Sequence, residues 1–200
     1  MRLADKSVLI TGATGSIGKE TAKLFKKNGA KLALLGRDKK KLDELQAELG
    51  VGRNTIYLEY KARDESSVAS AINKTIEKFG SLDAVIASAA TEGAIKPLID
   101  HTYEQFNSVL EINVTGVWLL LKHATPIMTA QKSGSFVAIS SGGGVIVFNG
   151  LCPYVASKHA VCGIIKTACL EFGFRGIHFN VLTPGPIANR MMDSLHQQVN

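Results

Sequence analysis

The chain has 200 residues, 46% hydrophobic and 20% charged, with 19 glycines and 5 prolines, the composition of a folded globular protein, which excludes disorder and fibrous repeats. Apolar runs such as Val117 to Leu121 are broken by Lys122 and His123, far short of the ~20 residues that span a bilayer. A net charge of +6 suits nucleic acid, an anionic surface or a phosphorylated small molecule, and does not choose among them.

Met1 to Lys6 is too short and too charged for a secretory leader, so a cytoplasmic location is expected. Ser7 to Ile10 reads as a strand. It runs directly into Thr11-Gly12-Ala13-Thr14-Gly15-Ser16-Ile17-Gly18, and then into a helix whose apolar face is Ile17, Leu24 and Phe25 and which stops at Asn28-Gly29. A glycine turn between a strand and a helix lets the backbone approach a pyrophosphate, whose charge meets the helix N–H groups and dipole. The same turn also serves as plain packing. A phosphate-hydrolysing loop is excluded, because five residues separate Gly12 from Gly18 and Lys19 is followed by Glu20 where a Mg²⁺-binding Ser or Thr is needed.

Lys31 to Leu35 is the second strand, ending Gly36-Arg37-Asp38 where the adenosine ribose of a dinucleotide lies. An acidic residue there favours the free 2′-hydroxyl of NAD, and an arginine the 2′-phosphate of NADP. Arg37 therefore predicts NADP over NAD, although it also reads as a surface arginine opening a basic helix, and Asp38 can still reach a ribose hydroxyl. Leu42, Leu45 and Leu49 mark that helix. Its lysines, with Lys23, Lys26, Lys27 and Lys31, lack interleaved aromatic residues, so they read as a solvated face, without specific nucleic-acid binding. Thr55 to Tyr60 is a third strand. Asp64 caps a helix with Val68, Ile72, Ile76 and Phe79 inward and Gly80 at its end.

Leu82 to Ala87 forms a buried fourth strand, and Tyr103 to about Met128 one long helix, with an interruption near Asn113 or Gly116 left open. Trp118, Phe106 and Leu119 to Leu121 are expected in the core or in a helix contact. Ser135 to Ser140 is the fifth strand, Tyr154 to about Phe174 a helix, and Ile177 to Leu182 the sixth strand, closed by Thr183-Pro184-Gly185-Pro186. Six strands alternating with about five helices predict an α/β fold, a doubly wound parallel sheet in three layers, with residues 1–200 as one domain. Ligands are expected beyond the strand C-termini, where the strand order reverses.

Tyr154 and Lys158 are four residues apart and share a helix face. A phenol near pKa ~10 is a poor acid–base catalyst at neutral pH, and a fixed cation beside it is expected to lower that pKa. Ser141, at the end of the fifth strand, lies thirteen residues before the tyrosine. It reads as a donor to a substrate oxygen, because Ile139-Ser140-Ser141-Gly142-Gly143 lacks the Gly-x-Ser-x-Gly turn of a hydrolase nucleophile.

On the Thr11 to Gly18 turn, Asn113-Val114-Thr115-Gly116, Ser141, Tyr154-x-x-x-Lys158 and Pro184-Gly185-Pro186-Ile187, the chain resembles the short-chain dehydrogenase/reductase family, a group with the Rossmann fold; the spacing Gly12, Gly15, Gly18 looks like the longer two-domain branch, and the remaining motifs resemble the shorter single-domain branch, to which the chain is assigned. The resemblance implies that Tyr154 is the general acid/base, that Lys158 lowers its pKa and holds the nicotinamide ribose, that Ser141 binds the substrate oxygen, and that Asn113 holds a water in a proton relay. It implies cofactor contacts from Gly12, Thr14, Gly15, Ser16, Ile17, Gly18, Arg37, Asp38, Ala89, Asn113, Tyr154, Lys158, Pro184, Gly185 and Ile187. It also implies a small alcohol or carbonyl substrate and a homo-oligomer, dimer or tetramer, paired through the helix that contains Asn113.

The chain departs from that pattern in four places. Ser16 stands where the branch has a glycine, Lys61 where an aspartate is frequent, and Ala87-Ser88-Ala89-Ala90 replaces Asn-Asn-Ala-Gly. Asn200 follows soon after Pro184-Gly185, so a substrate pocket open on one side is expected, with Met191, Met192 and Leu195 beginning a covering helix. These departures keep open a second reading, a catalytically weak or inactive nucleotide-binding or interaction module on the same scaffold. Glu92, Lys96 and His101 are placed to contact a polar substrate, but are expected as solvated loop residues. Cys152, Cys162 and Cys169 have no metal-ligand spacing and are expected as small buried side chains, with no metal.

Overall fold

Six short runs pair edge to edge as one parallel sheet in the computed structural model, which describes residues 1–188. They are β1 (Ser7–Thr11), β2 (Lys31–Gly36), β3 (Thr55–Glu59), β4 (Ala84–Ala87), β5 (Gly134–Ile139) and β6 (Ile177–Leu182). The order β3-β2-β1-β4-β5-β6 reverses between β1 and β4, which opens a crevice beyond their C-terminal ends. Parallel strands covered on both faces are continuously apolar. Accordingly Val8, Leu9 and Ile10 of β1 and Leu32 to Leu35 of β2 are all buried.

The crossovers are α1 (Ser16–Lys27), α2 (Lys39–Leu49), α3 (Glu65–Phe79), α4 (Tyr103–Leu110), α5 (Gly116–Gln131) and α6 (Cys152–Phe172), with the π-helical segment Glu111–Thr115 joining α4 to α5. On one face α3, α5 and α6 pack Val68, Ile72, Leu120, Val161 and Ile165 against Leu9, Val85 and Phe136. On the other, Ala22 of α1 and Leu45 of α2 meet Val8, Ile10, Leu32 and Leu34. The helix starts follow their caps, since Asp38 accepts from the Lys41 N–H at 3.2 Å and Asp64 from the Ser67 N–H at 3.1 Å.

Four expectations are corrected. Leu24 is 57% exposed. The glycine turn draws α1 so close to the sheet that Gly18 and Ala22 are its buried contacts, with the expected Phe25 packed beside them. The fourth strand starts at Ala84, because Leu82 is held by the side chain of Gln131, which accepts from its N–H at 3.0 Å and donates to its carbonyl at 2.9 Å. Trp118 is half exposed under the Lys122 ammonium, whereas Leu119 to Leu121 are buried. Of the cysteines, Cys162 is buried and Cys169 exposed. No helix among the described residues is long and apolar enough to cross a membrane. Met191, Met192 and Leu195 lie outside the described residues.

Candidate active site

The glycine turn is built by close backbone approach. Gly12 has φ +64, and a Cβ there would stand 2.9 Å from the Ala89 backbone; a Cβ on Gly18 would stand 2.3 Å from the Gly12 carbonyl oxygen. Thr11 locks the same corner, its hydroxyl accepting from the N–H groups of Ser88 and Ala89 at 3.2 and 3.3 Å. The first turn of α1 has neither a side-chain cap nor an acidic residue. Its leading N–H groups, at Ser16, Ile17 and Gly18, and its positive dipole end therefore form a donor set that fits a pyrophosphate. Thr14 packs against Gly36 at the end of β2, and the next residue, Arg37, is exposed with no ion pair among the described residues. A cationic group is thus available where a ribose 2′-phosphate would lie, while the Asp38 carboxylate caps α2 through Oδ1.

Tyr154 and Lys158 emerge from the first turns of α6, and Ser141 from the loop after β5. Tyr154 is buried, and its phenol interacts with the Ser141 side chain. The Ser141 hydroxyl also accepts from the Gly143 N–H at 3.1 Å. The Lys158 ammonium donates to the Ile139 carbonyl at 2.9 Å and lies 5.6 Å from the centre of the Tyr154 ring. Burial holds the phenol of Tyr154 above its ordinary pKa; the Ser141 hydrogen bond opposes the shift and the charge of Glu92 adds to it. This direction is opposite to the one expected from a neighbouring lysine. Desolvation of the phenol dominates, and desolvation likewise lowers Lys158 from 10.5 to about 8.

Asn113 sits in the π segment at 1% exposure. Its carbonyl oxygen accepts from the Thr91 N–H at 2.8 Å, and its amide donates to the Thr91 carbonyl and to the Ser157 hydroxyl, each at 2.9 Å. The side chain is therefore a clasp between the loop after β4 and α6. Behind Lys158, the buried Ser140 hydroxyl donates to the Lys158 carbonyl at 2.9 Å and accepts from the Cys162 thiol at 3.4 Å. Gly144 makes this knot possible, because a Cβ there would stand 2.4 Å from the Ser140 oxygen.

The turn after β6 joins the same edge. The Pro184 carbonyl accepts from the Gly142 N–H at 2.7 Å, with Pro184 half-buried and Gly185 and Ile187 exposed beside it. Ala89 is half-buried against Gly12. The structure thus brings the glycine turn, Ala89, Asn113, Ser141, Tyr154, Lys158 and Pro184 to the C-terminal edge of the sheet. Ser157 has no role in the sequence reading, and Ser140 enters it only as the neighbour of Ser141; their contacts with Asn113 and Lys158 come from the fold. Glu92, expected as a solvated loop residue, is only 6% exposed, while Lys96 and His101 are half-buried.

A family model described as short chain dehydrogenase matches residues 6–200. Zerumbone synthase from Zingiber zerumbet is 33% identical over 192 residues, 96% of this chain and 72% of its own length. Levodione reductase from Leifsonia aquatica is 32% identical over 202 residues, 100% of this chain and 76% of its own. The crystal structure of levodione reductase matches with a TM-score of 0.96, covering 100% of this chain and 78% of that one at 32% identity. A structure of NAD+-bound xylitol dehydrogenase matches at 0.92 and 29% identity, covering 98% and 76%. A structure of ElxO with NADP bound matches at 0.89 and 30% identity, covering 98% and 79%.

Proposed function

Since the chain belongs to the short-chain dehydrogenase/reductase family, we propose that it is an NADP-dependent oxidoreductase transferring a hydride between nicotinamide and an alcohol or carbonyl substrate, with Tyr154 as general acid/base. The observation that carries this reading is the meeting of the Tyr154 and Ser141 hydroxyls with the Lys158 ammonium nearby, at the sheet edge that also bears the glycine turn.

In this reading the N–H groups of Ser16, Ile17 and Gly18 hold the pyrophosphate, with Gly12, Thr14 and Gly15 shaping the turn, the Gly15 N–H donating to the Gly12 carbonyl at 2.9 Å. Arg37 takes the 2′-phosphate and Asp38 the ribose edge. Ala89, Pro184, Gly185 and Ile187 line the nicotinamide half, and Lys158 holds its ribose. When bound, the nicotinamide supplies or accepts the hydride. Ser141 donates a hydrogen bond to the substrate oxygen and orients it. Tyr154 gives its proton to that oxygen during reduction and takes it back during oxidation. A raised phenol pKa keeps Tyr154 protonated at neutral pH, the form carbonyl reduction requires.

Support for a nicotinamide cofactor comes from the NAD+- and NADP-bound relatives; Arg37 is what favours NADP. The exposed Trp118 on α5 and Leu170 on α6 support assembly as a homo-oligomer, and we place it in the cytoplasm. The test is a fluorescence titration with NADPH and NADH, followed by ketone reduction by the chain and by Tyr154→Phe. The expected result is tighter NADPH binding, retained in the variant, with the rate reduced about 10²–10⁴-fold. An unchanged rate in Tyr154→Phe would remove the tyrosine from the chemistry, and absence of cofactor binding by the folded chain would overturn the proposal.

A further inference from the structure

The loop leaving β5 exposes four consecutive apolar side chains, Val145, Ile146, Val147 and Phe148, at 62%, 56%, 75% and 44%. Single apolar residues on a surface are ordinary. A contiguous run marks a surface that an apolar partner covers.

This strip is continuous with the candidate active site. It begins straight after Ser141 and the 3-10 turn Gly142–Gly144. A Cβ on Gly143 would meet the Tyr154 ring at 3.4 Å and the Phe148 ring at 3.6 Å, so both rings flank one glycine. At its far end, the Gly150 carbonyl accepts from the Lys96 N–H at 3.0 Å, and a Cβ on Gly150 would stand 2.9 Å from the Ile95 side chain. The loop after β4 therefore packs on the end of the strip. That loop goes on to expose Leu98 and Ile99, 69% and 87% accessible. At the reacting end, the buried Glu92 adds a negative charge that Tyr154 feels.

We infer that the carbonyl substrate is an uncharged, mainly apolar ketone of alicyclic or aromatic bulk, and the product its secondary alcohol, because the Val145 to Phe148 strip adjoins the Tyr154 and Ser141 hydroxyls. The inference rests on the oxidoreductase reading and narrows it, against polyols, hydroxy acids and phosphorylated compounds. The carbonyl carbon gains the hydride of the reduced nicotinamide and forms a C–H bond. The C=O π pair moves to oxygen, which takes the Tyr154 proton; solvent then restores that proton, and the alcohol's oxidation is the reverse.

The experiment measures initial rates with reduced cofactor for acetone, cyclohexanone and 2-decalone, and for dihydroxyacetone and pyruvate as polar counterparts. A nicotinamide fluorescence titration runs in parallel. The expected kcat/KM rises about fourfold for each added ring carbon, the worth of one buried methylene, and Phe148→Ala and Val147→Asn flatten that slope. Measurable rates with no slope, or with the polar compounds preferred, overturn the substrate class and leave the oxidoreductase reading standing. Absence of cofactor binding overturns both. If cofactor binds and no ketone is reduced, a fluorescence change of the bound cofactor with 2-decalone and not with dihydroxyacetone supports the apolar site, and its absence overturns it. A dimer that Val147→Asn converts to monomer assigns the strip to a second copy of the chain and overturns the inference.

Discussion

The Asn113 amide donates at 2.9 Å to the Ser157 hydroxyl, which in turn donates to the Tyr154 carbonyl at 2.7 Å. With the two bonds from Asn113 to the Thr91 backbone, this chain joins the loop after β4, the π segment and the turn of α6 that presents Tyr154. All of it lies in or near the core, where a polar group stripped of its partner bears its full desolvation cost.

Asn113→Leu strands the Thr91 N–H and carbonyl and half of Ser157, so it is expected to destabilise the fold by about 3 kcal/mol. Ser157→Ala removes a smaller link, about 1 kcal/mol. Urea denaturation midpoints check both values, and equal midpoints for the two variants would show that the clasp on Thr91 contributes nothing.

Lys158 is 3% exposed, and burial lowers its ammonium from 10.5 to about 8. The unfolded chain holds that proton more tightly, so below pH ~8 the folded state is disfavoured by about 3 kcal/mol. This handicap shrinks as pH rises from about 8 to 10.5. Lys158→Met is therefore expected to stabilise the protein by about 2 kcal/mol at pH 7, once the lost bond to Ile139 is deducted. The gain fades towards pH 10.5, and activity is lost. Denaturation of both proteins at neutral and at alkaline pH reads the sign directly.

The same titration reaches the reaction. Carbonyl reduction is expected to be level through neutral pH and to fall above about 8 as Lys158 loses its charge. A profile that rises through that range would contradict the assignment of Lys158.

Arg37→Gln removes the cation placed for a 2′-phosphate. It is expected to weaken NADPH by about 10- to 100-fold, the worth of a charge-assisted hydrogen bond, and to leave NADH within about twofold. Fluorescence titration with the two cofactors separates the outcomes, and equal losses would mean that Arg37 acts on the fold or on both nucleotides alike.

Gly18→Ala places a Cβ 2.3 Å from the Gly12 carbonyl oxygen. Backbone cannot yield as a side-chain tip can, so a loss of about 1–3 kcal/mol is expected, together with weaker cofactor binding. Gly163→Ala is the control, since its Cβ meets nothing within 4 Å and a helix interior gains by the exchange.

Much of the architecture is legible in the residue pattern because the physics there is local or periodic. Strands covered on both faces must be apolar throughout, as in Val8 to Ile10 and Leu32 to Leu35. The interruption left open near Asn113 is the π segment Glu111–Thr115. Leu24 is exposed because helical periodicity gives a face without the distance to the sheet, and here Gly18 and Ala22 take the buried contact, with Phe25 packed beside them.

By itself the sequence determined the alternation of strands and helices, the glycine turn, and the placing of Tyr154 and Lys158 on one helix face, all set by neighbours within a few residues. Only the tertiary structure decided the burial of Glu92, the clasp of Asn113 on Thr91 and Ser157, and the upward direction of the Tyr154 pKa. Those depend on the solvation and charge around each group, and the atoms that set them arrive from distant parts of the chain.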